Sequence, residues 1–231
     1  MQANPQEHDA LVAKAQEVYR RLAERYGLPE WDHATPPLDE LINTILSQNT
    51  NDRNRDLAYH NLRARFATWE AVRDADPEAV MDAIRPAGLA NQKGPRIQSV
   101  LRQITAERGE LDLNFLYDLS PEEALAWLMR FKGVGPKTAS IVLQFSLAKP
   151  AFPVDTHVYR VSGRIGLRPP RMTADQAHVF LAMLFTPDQY GPGHLNIIRL
   201  GREICHARNP QHEVCPVRDL CDYYRELEEN A

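Results

Sequence analysis

Apolar residues recur at spacings of three and four along almost the whole chain, and the sustained apolar/polar alternation that a half-buried strand needs is scarce. The pattern predicts an all-α protein. Its helix starts are chemically marked. Ser120-Pro121-Glu122-Glu123 joins an N-cap serine, a proline whose missing N–H is harmless at the first helical position, and a glutamate placed to reach back to the cap. The apolar face Leu125, Leu128 and Met129 follows. Asp76-Pro77 and Thr173 with Gln176 open two further helices in the same way. Periodicity predicts others over 8–26, 39–48, 52–66, 68–74, 93–107, 137–146, 156–165 and 192–205. The prolines punctuate these short segments, and the sequence carries no repeat of solenoid period and no low-complexity run.

A chain of 231 residues is long enough for one large domain or two small ones. No run approaches the roughly 20 apolar residues of a membrane span. The opening MQANPQEHDA is polar and acidic where a signal peptide is basic and then apolar. The expectation is a protein without a membrane partner that stays where it is made: cytoplasmic, and nucleoid-associated in a prokaryote. Cys205, Cys215 and Cys221 crowd into one short stretch. They are too few for a disulfide framework and point to metal or cluster ligation in a reducing compartment. The net charge of −4 argues against a protein that coats nucleic acid through a generally basic surface. The tail Arg225-Glu226-Leu227-Glu228-Glu229 is acidic, however, so a positive face elsewhere remains compatible with that charge.

The most informative segment is Phe131-Lys132-Gly133-Val134-Gly135-Pro136-Lys137-Thr138-Ala139, between one apolar-faced helix and the next. Two glycines flanking Val134 permit a tight turn whose amides approach a phosphate closely, and the following helix N-terminus adds positive partial charge. Such a clamp needs little side-chain charge. Lys137 opens the second helix, and Asp155, in Pro153-Val154-Asp155-Thr156-His157, stands eighteen positions after it.

These segments, GVGPKTASIVLQF and AFPVDTHVYRVSGRIGL, resemble the helix-hairpin-helix-GPD superfamily of DNA glycosylases, and specifically its endonuclease III branch, from about Leu38 to Tyr223. The resemblance implies a two-lobed, all-α helix-hairpin-helix glycosylase fold with a C-terminal iron–sulfur cluster loop at 205–221. Residues 38–149 would form a helical bundle ending in the hairpin, and 1–37 plus 150–231 the second domain, with Lys137 and Asp155 at the cleft between them. The two residue types suit the chemistry. Breaking an N-glycosidic bond builds positive charge on the sugar, which the Asp155 carboxylate would stabilise. The amine of Lys137 would attack C1′ and form an iminium that permits β-elimination of the 3′ phosphate. A helix N-terminus and partial desolvation both favour its neutral, nucleophilic form.

The resemblance also implies residues that open the duplex, because the target atom is inaccessible inside stacked bases. Gly133, Val134, Gly135 and Thr138 would hold the DNA. In Leu46-Ser47-Gln48-Asn49-Thr50-Asn51-Asp52, Asn49 takes the polar wedge position and Gln48 is its rival. The branch commonly carries glutamine where Asn49 stands. In Ala87-Gly88-Leu89-Ala90-Asn91, Leu89 would intercalate as an apolar wedge. The branch's cluster loop spaces four cysteines with six, two and five residues between them. Here Cys205, Cys215 and Cys221 keep that register while His212 stands at the second position. A 4Fe-4S cluster with His212 as fourth ligand is the reading adopted, since imidazole also ligates iron clusters. A zinc, vacant or water-completed site is the alternative. His206 breaks the register. The cluster would pin a loop bearing Arg208 and Arg218 for phosphate contact.

The function implied is that of a monomeric, bifunctional DNA glycosylase and AP lyase of base excision repair. It would remove oxidised pyrimidines from double-stranded DNA and cleave 3′ to the abasic site. The alternatives are a monofunctional adenine- or thymine-mismatch glycosylase, whose members lack a lysine at the position of Lys137, and a non-catalytic helix-hairpin-helix DNA-binding protein.

Overall fold

Each capping signal starts a helix. The Ser120 and Thr173 side chains accept from the amides of Glu123 and Gln176, whose own side chains return the bond to the cap amides. Asn51, Thr68, Asp76 and Asp155 cap further starts. Each such cap contributes about 1 kcal/mol. The computed structural model describes residues 5–230, which form helices and turns with no strand among the described residues. The helices are α1 (Pro5–Tyr26), α2 (Pro37–Ser47), α3 (Asp52–Arg65), α4 (Trp69–Asp74), α5 (Pro77–Ala83), α6 (Ala90–Arg108), α7 (Pro121–Leu128), α8 (Pro136–Ile141), α9 (Thr156–Ile165), α10 (Ala174–Ala182), α11 (Tyr190–Glu203) and α12 (Asp222–Glu229). The fold is the all-α one that the hydrophobic periodicity predicts.

The chain divides into two compact units, His33–Lys149 and Met1–Asp32 with Pro150–Ala231. In the first, α6 is the central helix, burying Ile97, Val100, Leu101 and Ile104. It also carries buried polar side chains that finish its neighbours. Gln98 donates to Val72 O and Ala75 O, satisfying carbonyls that the end of α4 leaves without intrahelical partners. In the second unit α1 supplies Ala15, Val18 and Leu22 to a core shared with α9, α10 and α11. There Phe152 and Phe185 stack with centroids 5.1 Å apart, offset-stacked aromatics adding to the area they bury. Among the described residues no helix is long and apolar enough to cross a membrane.

Local features depart from the sequence pattern at several places. Helix α6 begins at Ala90 rather than 93, because Gly88 and Leu89 both turn left-handed (φ 69° and 49°) and let the chain enter the helix three residues early. Pro95 then lies inside α6 instead of in its first turn. Met129 is 40% exposed, and α7 buries Ala124 and Leu128 instead. The segment after α8 continues as a π-turn, Val142–Ser146, and the acidic tail forms α12.

Candidate active site and cluster loop

The hairpin is anchored from the core outward. Trp127 on α7 packs edge-on against Phe115 and Phe131, each at 4.9 Å between centroids, and Phe131 is buried at the head of the turn. Val134 N–H closes the turn on Phe131 O at 3.0 Å. Gly133 is required twice over: its φ is +85°, and a Cβ there would stand 2.2 Å from Arg96 Nε. Gly135 is extended and caps α8, Pro136 takes the first helical position and Lys137 the second. Lys137 is half-buried, whereas Val134 and Thr138 are buried.

A carboxyl that sequence reasoning missed lies electrostatically close to Lys137. Burial raises the Glu40 carboxyl above its usual range, against the opposing pull of a hydrogen bond from Thr44 and the charges of Arg55 and Lys137. Glu40 lies on α2, which packs on α8.

The two wedge candidates separate. Gln48 is tied down: its Nε2 donates to Gly133 O at 3.2 Å, and its Oε1 accepts from Arg96 Nη1 at 2.7 Å. Asn49 is exposed with φ 53°. Leu89 is 43% exposed with φ 49°. A left-handed backbone costs a leucine roughly 1–2 kcal/mol. Behind these two turns lies Lys93, also missed by sequence reasoning. It is 1% exposed, and Nζ donates to Leu46 O and to Ala87 O, both at 2.8 Å. Burial pushes its ammonium down to about 8. Lys93, Arg96 and Glu40 left no signal in the pattern, since a polar residue on a helix reads as solvent-facing until its neighbours are known.

In the other unit Asp155 caps α9, Oδ1 accepting from Val158 N–H at 2.7 Å. Cys205, His212, Cys215 and Cys221 line one cavity beside Arg164, Arg218, Tyr223 and Tyr224. Arg164 donates to Cys205 Sγ at 3.4 Å and to His206 O, and the Cys221 thiol donates to Arg164 O at 3.3 Å. The His212 ring lies edge-on to Tyr224 at 4.9 Å. Burial pushes the Cys215 thiol up to about 11 and raises Cys221 as well, which holds these two thiols neutral. Iron beside them would reverse that balance, because thiolates are stabilised by metal charge. The donor set therefore fits an iron–sulfur group. His206 does not line the cavity.

Hairpin, lysine and cysteine loop on this helical fold define a helix-hairpin-helix repair protein with an iron–sulfur segment, and the comparisons with known proteins agree. Residues 42–186 match the HhH-GPD superfamily of base excision DNA repair proteins, and residues 205–221 match the iron–sulfur binding domain of endonuclease III. Endonuclease III of Thermotoga maritima is 34% identical, the alignment covering 91% of this chain and 93% of that protein. Endonuclease III of Sulfolobus acidocaldarius is 31% identical over 91% of this chain and 96% of that one. Among solved structures, a trapped endonuclease III–DNA covalent intermediate superposes with a TM-score of 0.79 at 26% identity, covering 93% of this chain and 98% of that one. The chain belongs to the endonuclease III family of the HhH-GPD superfamily of base excision DNA repair proteins.

Proposed function

We propose that the chain is a bifunctional DNA glycosylase and AP lyase that removes oxidised pyrimidines from double-stranded DNA and acts as a monomer. The observation that carries the reading is Lys137, half-buried at the second position of the helix that follows the Gly133–Gly135 turn. The hairpin backbone holds a phosphate beside the lesion. Lys137 attacks C1′ as the neutral amine while the base departs with the glycosidic electron pair, and the Asp155 carboxylate stabilises positive charge on the sugar. Loss of the amine proton and ring opening give an iminium. That group acidifies C2′, whose proton leaves as the C3′–O bond breaks and the 3′ phosphate departs. Asn49 fills the space the flipped nucleotide vacates and Leu89 enters from the opposite strand. Exposure and positive φ at both residues support these roles, and the bonds that hold Gln48 favour Asn49 over it.

The same reading assigns Cys205, His212, Cys215 and Cys221 as ligands of a 4Fe-4S cluster. The match of residues 205–221 to the iron–sulfur binding domain of endonuclease III favours a cluster over zinc. When bound, the cluster supplies a cross-link that fixes the loop bearing Arg208 and Arg218.

Borohydride trapping tests the reading. Wild-type protein incubated with duplex DNA carrying an oxidised pyrimidine or an abasic site should give a covalent adduct on reduction. Lys137→Ala should lower adduct formation by about a thousandfold or more. No adduct from wild type, or undiminished adduct from Lys137→Ala, would overturn it.

A further inference from the structure

Lys93 is costly where it stands. A buried ammonium away from a carboxylate is tolerated only if its protons are used, and Lys93 places two of them on carbonyls from two different turns. Leu46 O lies in the last turn of α2, three residues before Asn49, and Ala87 O ends the 3₁₀ turn Arg85–Ala87, two residues before Leu89. Both carbonyls sit at helix ends, where intrahelical partners run out. A methionine of similar length would fill the space and satisfy neither. Gly94, the next residue, lets α6 lie close against α5: a Cβ there would stand 2.8 Å from Met81 Cγ. One turn further along α6, Arg96 donates to Gln48, and Gln48 donates to Gly133 O. A single turn of α6 thus reaches the Asn49 turn, the Leu89 turn and the hairpin.

We propose that Lys93, with Arg96 one turn on, is a positioning residue that holds the Asn49 and Leu89 turns at a fixed separation, so that both side chains enter the duplex together. The inference rests on Asn49 and Leu89 acting as the duplex-opening residues. It gives α6 a task that neither the hairpin nor Lys137 performs. Neither Lys93 nor Arg96 need touch DNA for it. The ammonium spans two backbone segments rather than bonding within one helix, so its loss frees the turns to move relative to each other while each keeps its local fold.

The test uses one duplex, with an abasic site placed opposite 2-aminopurine, whose fluorescence rises when it is unstacked. Wild-type protein should form the borohydride adduct and give the fluorescence rise. Lys93→Met should lose the rise and form adduct about tenfold to a hundredfold more slowly, the loss expected of a misplacement on the order of 1 Å. Its affinity for undamaged duplex, which depends on the hairpin, should stay within about twofold of wild type. Wild-type rise and adduct rate in Lys93→Met overturn the proposal. So does a parallel fall in adduct, undamaged-duplex affinity and melting temperature, which marks a general structural loss. Arg96→Leu leaves both Lys93 bonds in place, removes the Gln48 link together with the guanidinium beside Gly133, and decides the matter if Lys93→Met fails to fold: a partial loss of the rise supports the proposal and an unchanged rise overturns it. Failure of the underlying reading looks different. Wild type would then give no adduct, or an adduct with no fluorescence rise.

Discussion

Around Gly133 the chain is fixed by its own atoms: an aromatic pair beneath the turn, a Phe131–Val134 bond across it, and Gln48 and Arg96 against its side. Between Cys205 and Cys221 short local bonds, two 3₁₀ turns and the buried Val217 are joined by arginines from α1 and α9, Arg21 donating to Pro216 O, Arg160 to Cys205 O and Arg164 to His206 O and Ala207 O. Three thiols and an imidazole are left facing one cavity. The first segment is held by packing within its own unit; the second is pinned at its ends by arginines and has, between them, the donors for a group that would cross-link it. Departures from a family's pattern therefore carry different weight in the two places. A changed side chain at the hairpin alters contacts with DNA, whereas His212 alters the chemistry of whatever holds its loop together.

Two substitutions at the reacting residues would sharpen that contrast. Lys137→Ala, with the largest effect expected, should abolish trapping without disturbing the hairpin, since Lys137 lies outside the Phe131–Val134 turn bond. Asp155→Asn should come next. Asparagine caps a helix about as well as aspartate, so melting should change by less than about 0.5 kcal/mol, while removal of the carboxylate charge slows base excision by about a hundredfold. Single-turnover excision beside a thermal melt separates the two contributions. A melt that falls in step with the rate would mean that Asp155 acts only as a cap.

In the cluster loop the order reverses. Cys215→Ala should lose iron measured on protein purified without oxygen, and lower the melting temperature by several degrees, because binding of a structural metal group is part of the folding free energy. Full iron content in that variant would remove Cys215 from the ligand set, and a colourless wild-type protein with stoichiometric zinc would remove the cluster. The smallest effect is expected at Leu89. Leu89→Gly relieves a left-handed backbone and should stabilise the protein by up to about 1 kcal/mol, yet slow excision from duplex DNA. Faster or unchanged excision would show that the exposed leucine has no part in opening the helix.

What could be read in the sequence was what is local. Ser120, Asp155 and Thr173 announce their helices because cap and capped amide lie within three residues, and the Gly133–Gly135 turn with Lys137 is a single continuous phrase. The cysteine register is also local. Choosing between Gln48 and Asn49 was not, since it depends on Gly133 and Arg96 arriving from far along the chain. Lys93 and Gln98 were invisible for the same reason. Each caps helix ends to which it is joined only by packing, and a sequence marks a polar side chain without marking which carbonyls come to meet it.

Helix α1 has a consequence for synthesis. Its apolar face packs into a core whose other members begin at Phe152, while the unit His33–Lys149 lies between them in the chain. During translation α1 emerges before its partners and waits for them on the order of ten seconds at ribosomal speeds. The intervening unit, by contrast, has every residue of its own core available as soon as Lys149 is made. The charged residues along α1, with Arg20 and Arg21 both bonded to Glu17, suit a helix that has to stay soluble through that interval.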